Sequence, residues 1–304
     1  MKHLRSEDEI IKTWDTAGTQ PVVSICCITY NHEDYIEDAL NGFLIQETDF
    51  PIEILIHDDA STDRTSDIIR NYQANYPKIV KPIYQTENQF SHGKRMNADF
   101  NFTRAKGDYL AICEGDDYWV DTSKLQKQVN YLIANPSYVL TFTDALTFNS
   151  EGIIESNLGG ATRDLSAEEL IVGTPIKTLT ACFKNVFKEK AWPAELRNAY
   201  YGDLTMWSLL GDHGAGKYLS DISPSMYRVH NESIHSSIPQ KTRYRNYLQT
   251  LFCLYLYRVT QADQRAAKLI AAKIIRHLVK ELSLIDVVKI FTGHCITTLK
   301  AFLK

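Results

Sequence analysis

Residues 112–119 read Ile-Cys-Glu-Gly-Asp-Asp-Tyr-Trp and place three carboxylates, Glu114, Asp116 and Asp117, within four positions directly after an apolar run. Like charges this close repel and raise one another's pKa, so the cluster persists either because a cation shares it or because water screens it. A metal centre and a solvated loop are the two readings. A divalent ion on these hard oxygen donors would neutralise a phosphate-bearing ligand directly.

The elements around the cluster favour a site. The run from Val22 to about Thr29 predicts a buried strand that ends at Tyr30-Asn31, and residues 33–46 place Ile36, Leu40, Phe43 and Leu44 on one helical face. Ile52–His57 predicts a second strand ending at Asp58-Asp59, and Asp63 or Thr62 can cap the helix 64–76. A third strand, Val80–Tyr84, opens into a polar loop, and a helical stretch with Phe100 and Phe102 leads to a fourth strand that ends in the carboxylates. Alternating strands and helices are the grammar of a parallel sheet covered on both faces, where ligands sit at the carboxyl ends of the strands. Three such ends carry polar residues here, and their convergence favours a site over chance.

Farther on, residues 122–136 predict a helix stopped by Pro136, Tyr138–Phe148 reads as one strand, and another lies within 174–187. Gly159-Gly160 is a hinge candidate. The 304 residues, 44% hydrophobic and 23% charged with a net charge of -4, describe a globular protein without a basic nucleic-acid footprint. There is no Gly-x-Gly-x-x-Gly, and in Gly-Asp-His-Gly-Ala-Gly-Lys-Tyr, residues 211–218, Tyr218 stands where a P-loop needs Ser or Thr. Six cysteines without metal spacing predict free thiols in a reducing compartment. With neither an apolar leader nor a bilayer-length run, the expectation is a cytoplasmic protein.

Taken in order, Val22–Leu40, Ile52–Ile69, Ala105–Gln128, Tyr201–Trp207 and Tyr227–Ser233 resemble the inverting GT-A glycosyltransferases of family 2, over about residues 21–235. The resemblance implies an α/β GT-A fold, with a mixed, mostly parallel sheet flanked by helices and separate nucleotide-sugar and acceptor halves. It implies transfer of a sugar from a nucleoside diphosphate donor, a UDP-sugar by expectation, to a hydroxyl of a glycan or lipid-linked acceptor in surface polysaccharide or related synthesis. Asp59 would contact the nucleotide base, with Tyr30 and Asn31 lining that pocket; Asn31 is equally a turn former, and Asp58 fits backbone bonding at the strand end. The family's Asp-x-Asp corresponds to Glu114-Gly115-Asp116, which departs by a glutamate at its first position. Asp116 and Asp117 are then the metal and ribose candidates, with Mn2+ or Mg2+ as the cofactor.

Asp203 falls where the family carries its catalytic base, and a helix N-cap is its structural alternative. Asp144 is a competing carboxylate. By the same resemblance His230 reaches the donor diphosphate or its metal, or is an exposed loop histidine, while Lys94 and Arg228 are weaker phosphate candidates. Trp119 and Trp207 are either an acceptor platform or core. A catalytically silent sugar-nucleotide-binding or assembly module is the alternative to an enzyme.

The expected organisation is a lead at 1–20, a catalytic domain at 21–240 and a helical extension at 241–304. Residues 261–304 carry eight Lys or Arg against three acids, a surplus of five that leaves -9 for the rest. Such an amphipathic tail packs against the domain or a second subunit, making a homo-oligomer, or lies on the anionic inner face of a membrane.

Overall fold

The computed structural model describes residues 4–15, 20–154, 159–188, 192–230 and 238–281. In chain order the strands are β1 (Val23–Thr29), β2 (Ile52–Asp58), β3 (Val80–Tyr84), β4 (Tyr109–Ile112), β5 (Tyr138–Phe142), β6 (Ala145–Asn149), β7 (Gly152–Ile153), β8 (Cys182–Lys184), β9 (Ala215–Tyr218) and β10 (Ser225–Arg228). Seven form one sheet in the order β3-β2-β1-β4-β8-β5-β9, and β10-β6-β7 form a second. β1 lies parallel to both neighbours, with Thr29 opposite Asp58 and Cys26 opposite Ile112. That register delivers the ends of β1, β2 and β4 to one edge.

Alternation along β1 sorts its side chains between two cores. Ile25 and Cys27 pack with Ile36, Leu40 and Phe43 of α2 (Ile36–Leu44) and Ile69 of α3 (Thr65–Asn75). Cys26 faces the other core, with Leu110, Phe142, Phe183 and Trp207. The capping-box helix α1 (Glu7–Ile11) precedes them in the chain. Cys26, Cys27, Cys113 and Cys182 are buried free thiols, and Cys295 lies outside the described residues.

Three elements differ from the sequence expectation. The stretch with Phe100 and Phe102 is a π-helical turn, Met96–Asn101, that tightens into the short α4 (Phe102–Arg104). After α5 (Lys124–Ala134), the run Tyr138–Phe148 is not one strand. It breaks at Thr143-Asp144 into β5 and β6, which join different sheets. Within 174–187 only Cys182–Lys184 is extended, antiparallel to both β4 and β5, and a 3-10 turn precedes it. Alternation reports a strand's faces and not its direction.

Beyond α6 (Ala167–Ile171) and α7 (Gly202–Leu210), the chain ends in α8 (Gln240–Thr260) and α9 (Gln264–Glu281). Leu251, Leu254, Tyr257, Ile270 and Ile274 cluster with Leu196 and with Leu209 of α7. Arg258 donates to both oxygens of Asp212 at 2.7 Å and to the Ser208 carbonyl at 2.7 Å. Residues 240–281 therefore pack on the α/β domain, while the tail charges at 289, 300 and 304 lie outside the described residues. Trp119 and Trp207 are both core, and the Trp119 indole donates to the Leu179 carbonyl at 2.7 Å.

Candidate active site

Two loops at the carboxyl edge are laced together. Asn31, in the left-handed region at φ 53°, accepts the Thr62 N–H at 2.8 Å and donates its own N–H to Ser61 Oγ at 3.0 Å. The His32 N–H donates to Thr65 Oγ1 at 2.8 Å. Asp63 accepts the Glu33 N–H and, at the start of α3, the Thr65 N–H, each at 2.9 Å. These bonds fix the backbone that carries His32.

The 114–117 turn crosses close over the same edge. Gly115 donates to the Ile28 carbonyl at 2.9 Å, and a Cβ on it would lie 2.7 Å from Thr29 Oγ1. Only glycine allows that approach. Glu114 accepts from the Thr178 hydroxyl at 3.2 Å. Burial, then the charge of Asp116, pushes its carboxyl up to about 7, and Asp203 adds to the rise. Asp117 is buried and accepts the Arg228 N–H at 2.8 Å; burial and the carboxylates beside it hold its pKa well above the usual range.

Asp116 has a different partner. Its Oδ2 lies 3.1 Å from His230 Nε2. One ligand atom each from His32, Asp116 and His230 falls within a span of 4.8 Å, a group that can hold a metal ion.

Asp203 sits in the first turn of α7, where Tyr201 and not Asp203 occupies the N-cap position. Its charge acts on both Glu114 and Arg95. Arg95 donates to the Arg197 carbonyl at 3.0 Å and also bonds the Ala199 carbonyl, tying down the approach to α7.

On the β2 side, Asp58 accepts from the Ser61 N–H and hydroxyl. Asp59 is 3% exposed and accepts the N–H groups of Gln89 and Phe90 at 2.7 and 3.0 Å. Tyr30 is 43% exposed, and Lys94 is exposed in the loop that supplies those N–H groups. Asp144 bonds the Ala145 N–H and the Tyr218 hydroxyl.

The sequence pattern described as Glycosyl transferase family 2 matches residues 24–189, more than half of the chain and the whole of the β1–β4 edge. The chain belongs to glycosyl transferase family 2. This family 2 chain is 35% identical over 227 residues to an uncharacterised protein of Mycobacterium tuberculosis, covering 73% of this chain and 63% of that one, so it spans less than two thirds of that relative. It is 26% identical over 250 residues to the UDP-Glc:α-D-GlcNAc-diphosphoundecaprenol β-1,3-glucosyltransferase WfaP of Escherichia coli, covering 78% and 93% of the two chains. Among solved structures, S. aureus TarS in complex with UDP-GlcNAc superposes with a TM-score of 0.60 at 19% identity, over 85% of this chain and 73% of that one. The architecture is the GT-A fold.

In this family 2 protein the structure brings Glu114, Asp116, Asp117 and His230 together, and the charge of Asp203 adds to the rise of the Glu114 carboxyl. Asp117 lies outside the 4.8 Å group, and sequence reasoning overlooked the residue that joins it, His32. The signal was available, since His32 follows Tyr30-Asn31 at the end of a strand already assigned to the site. The group keeps Asp116 and His230 of the expected ligands and has His32 in place of Asp117, so its donors are two imidazole nitrogens and one carboxylate oxygen. Such a set fits a divalent transition ion such as Mn2+ better than Mg2+.

Proposed function

We propose that this protein is an inverting glycosyltransferase that moves a sugar from a UDP-sugar to a hydroxyl of a glycan or lipid-linked acceptor, in surface-polysaccharide or related glycan synthesis at the cytoplasmic face of the membrane. The observation that carries the reading is the group of His32, Asp116 and His230, one ligand atom each within a span of 4.8 Å just beyond the ends of β1, β4 and β10. The charge of Asp203, which adds to the rise of the Glu114 carboxyl, supports a base on the same side. WfaP and the TarS complex, by the words that name them, support a UDP-linked donor.

In this reading Asp203 takes the proton from the acceptor hydroxyl as its oxygen bonds to the anomeric carbon. The bond from that carbon to the donor phosphate breaks on the opposite face, and the configuration inverts. Asp59 reads the base: its two oxygens offer four acceptor sites, of which Gln89 and Phe90 take two. In the same reading Tyr30 and Asn31 would border the base, Glu114 and Asp116 would face the ribose, and Lys94, exposed in the loop beside Asp59, would contact the diphosphate. When bound at Asp116, His230 and His32, a divalent ion, Mn2+ or Mg2+, supplies positive charge against the departing diphosphate.

The test is nucleoside diphosphate release from UDP-, GDP- and dTDP-sugars with Mn2+ or Mg2+, run beside Asp203→Asn and Asp116→Asn. Metal-dependent release from a UDP-sugar, lost in both variants, is the expected result. A protein that neither turns over nor binds any donor would instead be a silent assembly module.

A further inference from the structure

Arg228 ends β10, two residues before His230, and among the described residues it bonds the 114–117 turn and α2. Its backbone N–H donates to Asp117 Oδ1 at 2.8 Å. Its Nε donates to the Asp116 carbonyl at 2.9 Å, and its Nη2 to Asp38 Oδ2, in the first turn of α2, at 2.6 Å. The guanidinium carbon lies 4.6 Å from the ring of Phe148, 4.7 Å from Tyr35 and 5.7 Å from Tyr118. Paired bonds between Met226 and Tyr118, at 2.8 and 3.2 Å, lock β10 to the same turn.

We infer that Arg228 is a positioning residue that holds the Asp116 backbone against α2 and so sets the Asp116–His230–His32 group, and that it is not a ligand of the donor diphosphate. The inference rests on the glycosyltransferase reading of this site. Its geometry needs the planar fork. Nε faces the Asp116 carbonyl while Nη2 faces a carboxylate on another element, and an ammonium has no second fixed donor with which to span them. Aromatic rings crowd the guanidinium, so the charge is spent on Asp38 and the π faces. Tyr35 serves the same end, with its ring 4.8 Å from that of His230. Groups that orient metal ligands in this way change affinity about 10–100-fold when removed.

The test uses the full chain as wild type, Arg228→Lys and Asp38→Asn. Mn2+ uptake is read by the electron paramagnetic resonance of the free ion, UDP affinity by calorimetry at saturating Mn2+, and folding by the thermal transition. Arg228→Lys is expected to melt cooperatively and to bind Mn2+ about tenfold or more weakly. Asp38→Asn is expected to move Mn2+ affinity in the same direction by a smaller factor, with UDP affinity at saturating Mn2+ unchanged in both. Wild-type Mn2+ affinity combined with lost UDP affinity would make Arg228 a phosphate ligand and overturn the inference. Unchanged affinity for both would reduce it to packing. Should Arg228→Lys fail to fold, Asp38→Asn alone decides, because Asp38 is half-exposed and wild-type Mn2+ affinity in it would sink the idea. A wild-type protein that takes up neither Mn2+ nor UDP would overturn the glycosyltransferase reading itself.

Discussion

In the 114–117 turn, burial and then the charge of Asp116 hold the Glu114 carboxyl up at about 7, and burial with the neighbouring carboxylates raises Asp117 well above its usual range. Asp116 is the carboxylate paired with an imidazole, and it is the one carboxylate of the ligand group. His32 is then expected to matter as much as the histidine the sequence had marked. His32→Ala should weaken Mn2+ binding by about tenfold or more, by analogy with losses of groups that only orient ligands. Titration of the free Mn2+ signal checks this, and unchanged affinity would remove His32 from the site. In the proposed mechanism Asp203 serves the other half of the reaction, as the base for the acceptor hydroxyl. Asp203→Asn should lower kcat by about 10²–10⁴-fold with UDP affinity intact, since general-base assistance acts in the transition state and not on donor binding. A matching loss of UDP affinity would assign Asp203 to the donor.

At the scale of elements, the strand ends and their loops make the site, and two substitutions probe them. Gly115→Ala puts a methyl 2.7 Å from Thr29 Oγ1 and 2.8 Å from Thr29 Cβ, so β1 or the turn must shift. A loss of about 1–3 kcal/mol is expected from such overpacking, read from the urea midpoint. Buried His57 on β2 bonds Gln85 at 3.1 Å, and burial pulls its pKa from 6.5 to about 4. Between those values the unfolded chain binds the proton and the folded chain does not, so stability is full above about pH 6.5 and falls as the pH drops towards 4. The loss is on the order of 3 kcal/mol, from a pKa lowered by about 2.5 at about 1.4 kcal/mol per pH unit. His57→Gln should flatten that slope in urea titrations from pH 7 to 4, and an unchanged slope would place the acid sensitivity elsewhere. The β1–β4 half was legible because each strand is an apolar run ended by a polar residue. The join of β5 and β6 was not, because Thr141, Thr143 and Thr147 keep an alternation that runs through the break. Asp203 and His230 were assigned by resemblance, since nothing local to His230 shows that it returns to Asp116 at the β4 edge and nothing local to Asp203 marks it as a base. His32 lay in plain view beside Asn31, but the three carboxylates drew the metal assignment towards themselves.

The whole molecule is divided in charge and in surface. Residues 261–304 carry a surplus of five positive charges, while the remainder is at -9. α8 packs Leu251, Leu254 and Tyr257 inward yet leaves Phe252, Leu256 and Val259 exposed at spacings of four and three residues. Arg245 and Lys241 fall two and three turns before Phe252 on that same line. α9 repeats the arrangement, with Ile270 and Ile274 packed, Ile275 and Val279 exposed, and Lys268 two turns before Ile275. Among the described residues no helix is long and apolar enough to cross a membrane. A helix that packs one apolar face and presents a second, edged by lysine and arginine, suits adsorption to an anionic bilayer, where each basic residue near the surface contributes about 1 kcal/mol. The full chain should therefore sediment with phosphatidylglycerol vesicles but not with phosphatidylcholine vesicles, and salt should release it. Phe252→Asp combined with Leu256→Asp should leave thermal stability and donor turnover unchanged, since both side chains point away from the packed face, and should lower vesicle binding by at least tenfold. Binding that survives the double substitution would move the contact off α8, and no binding by the wild-type chain would leave these faces to a protein partner.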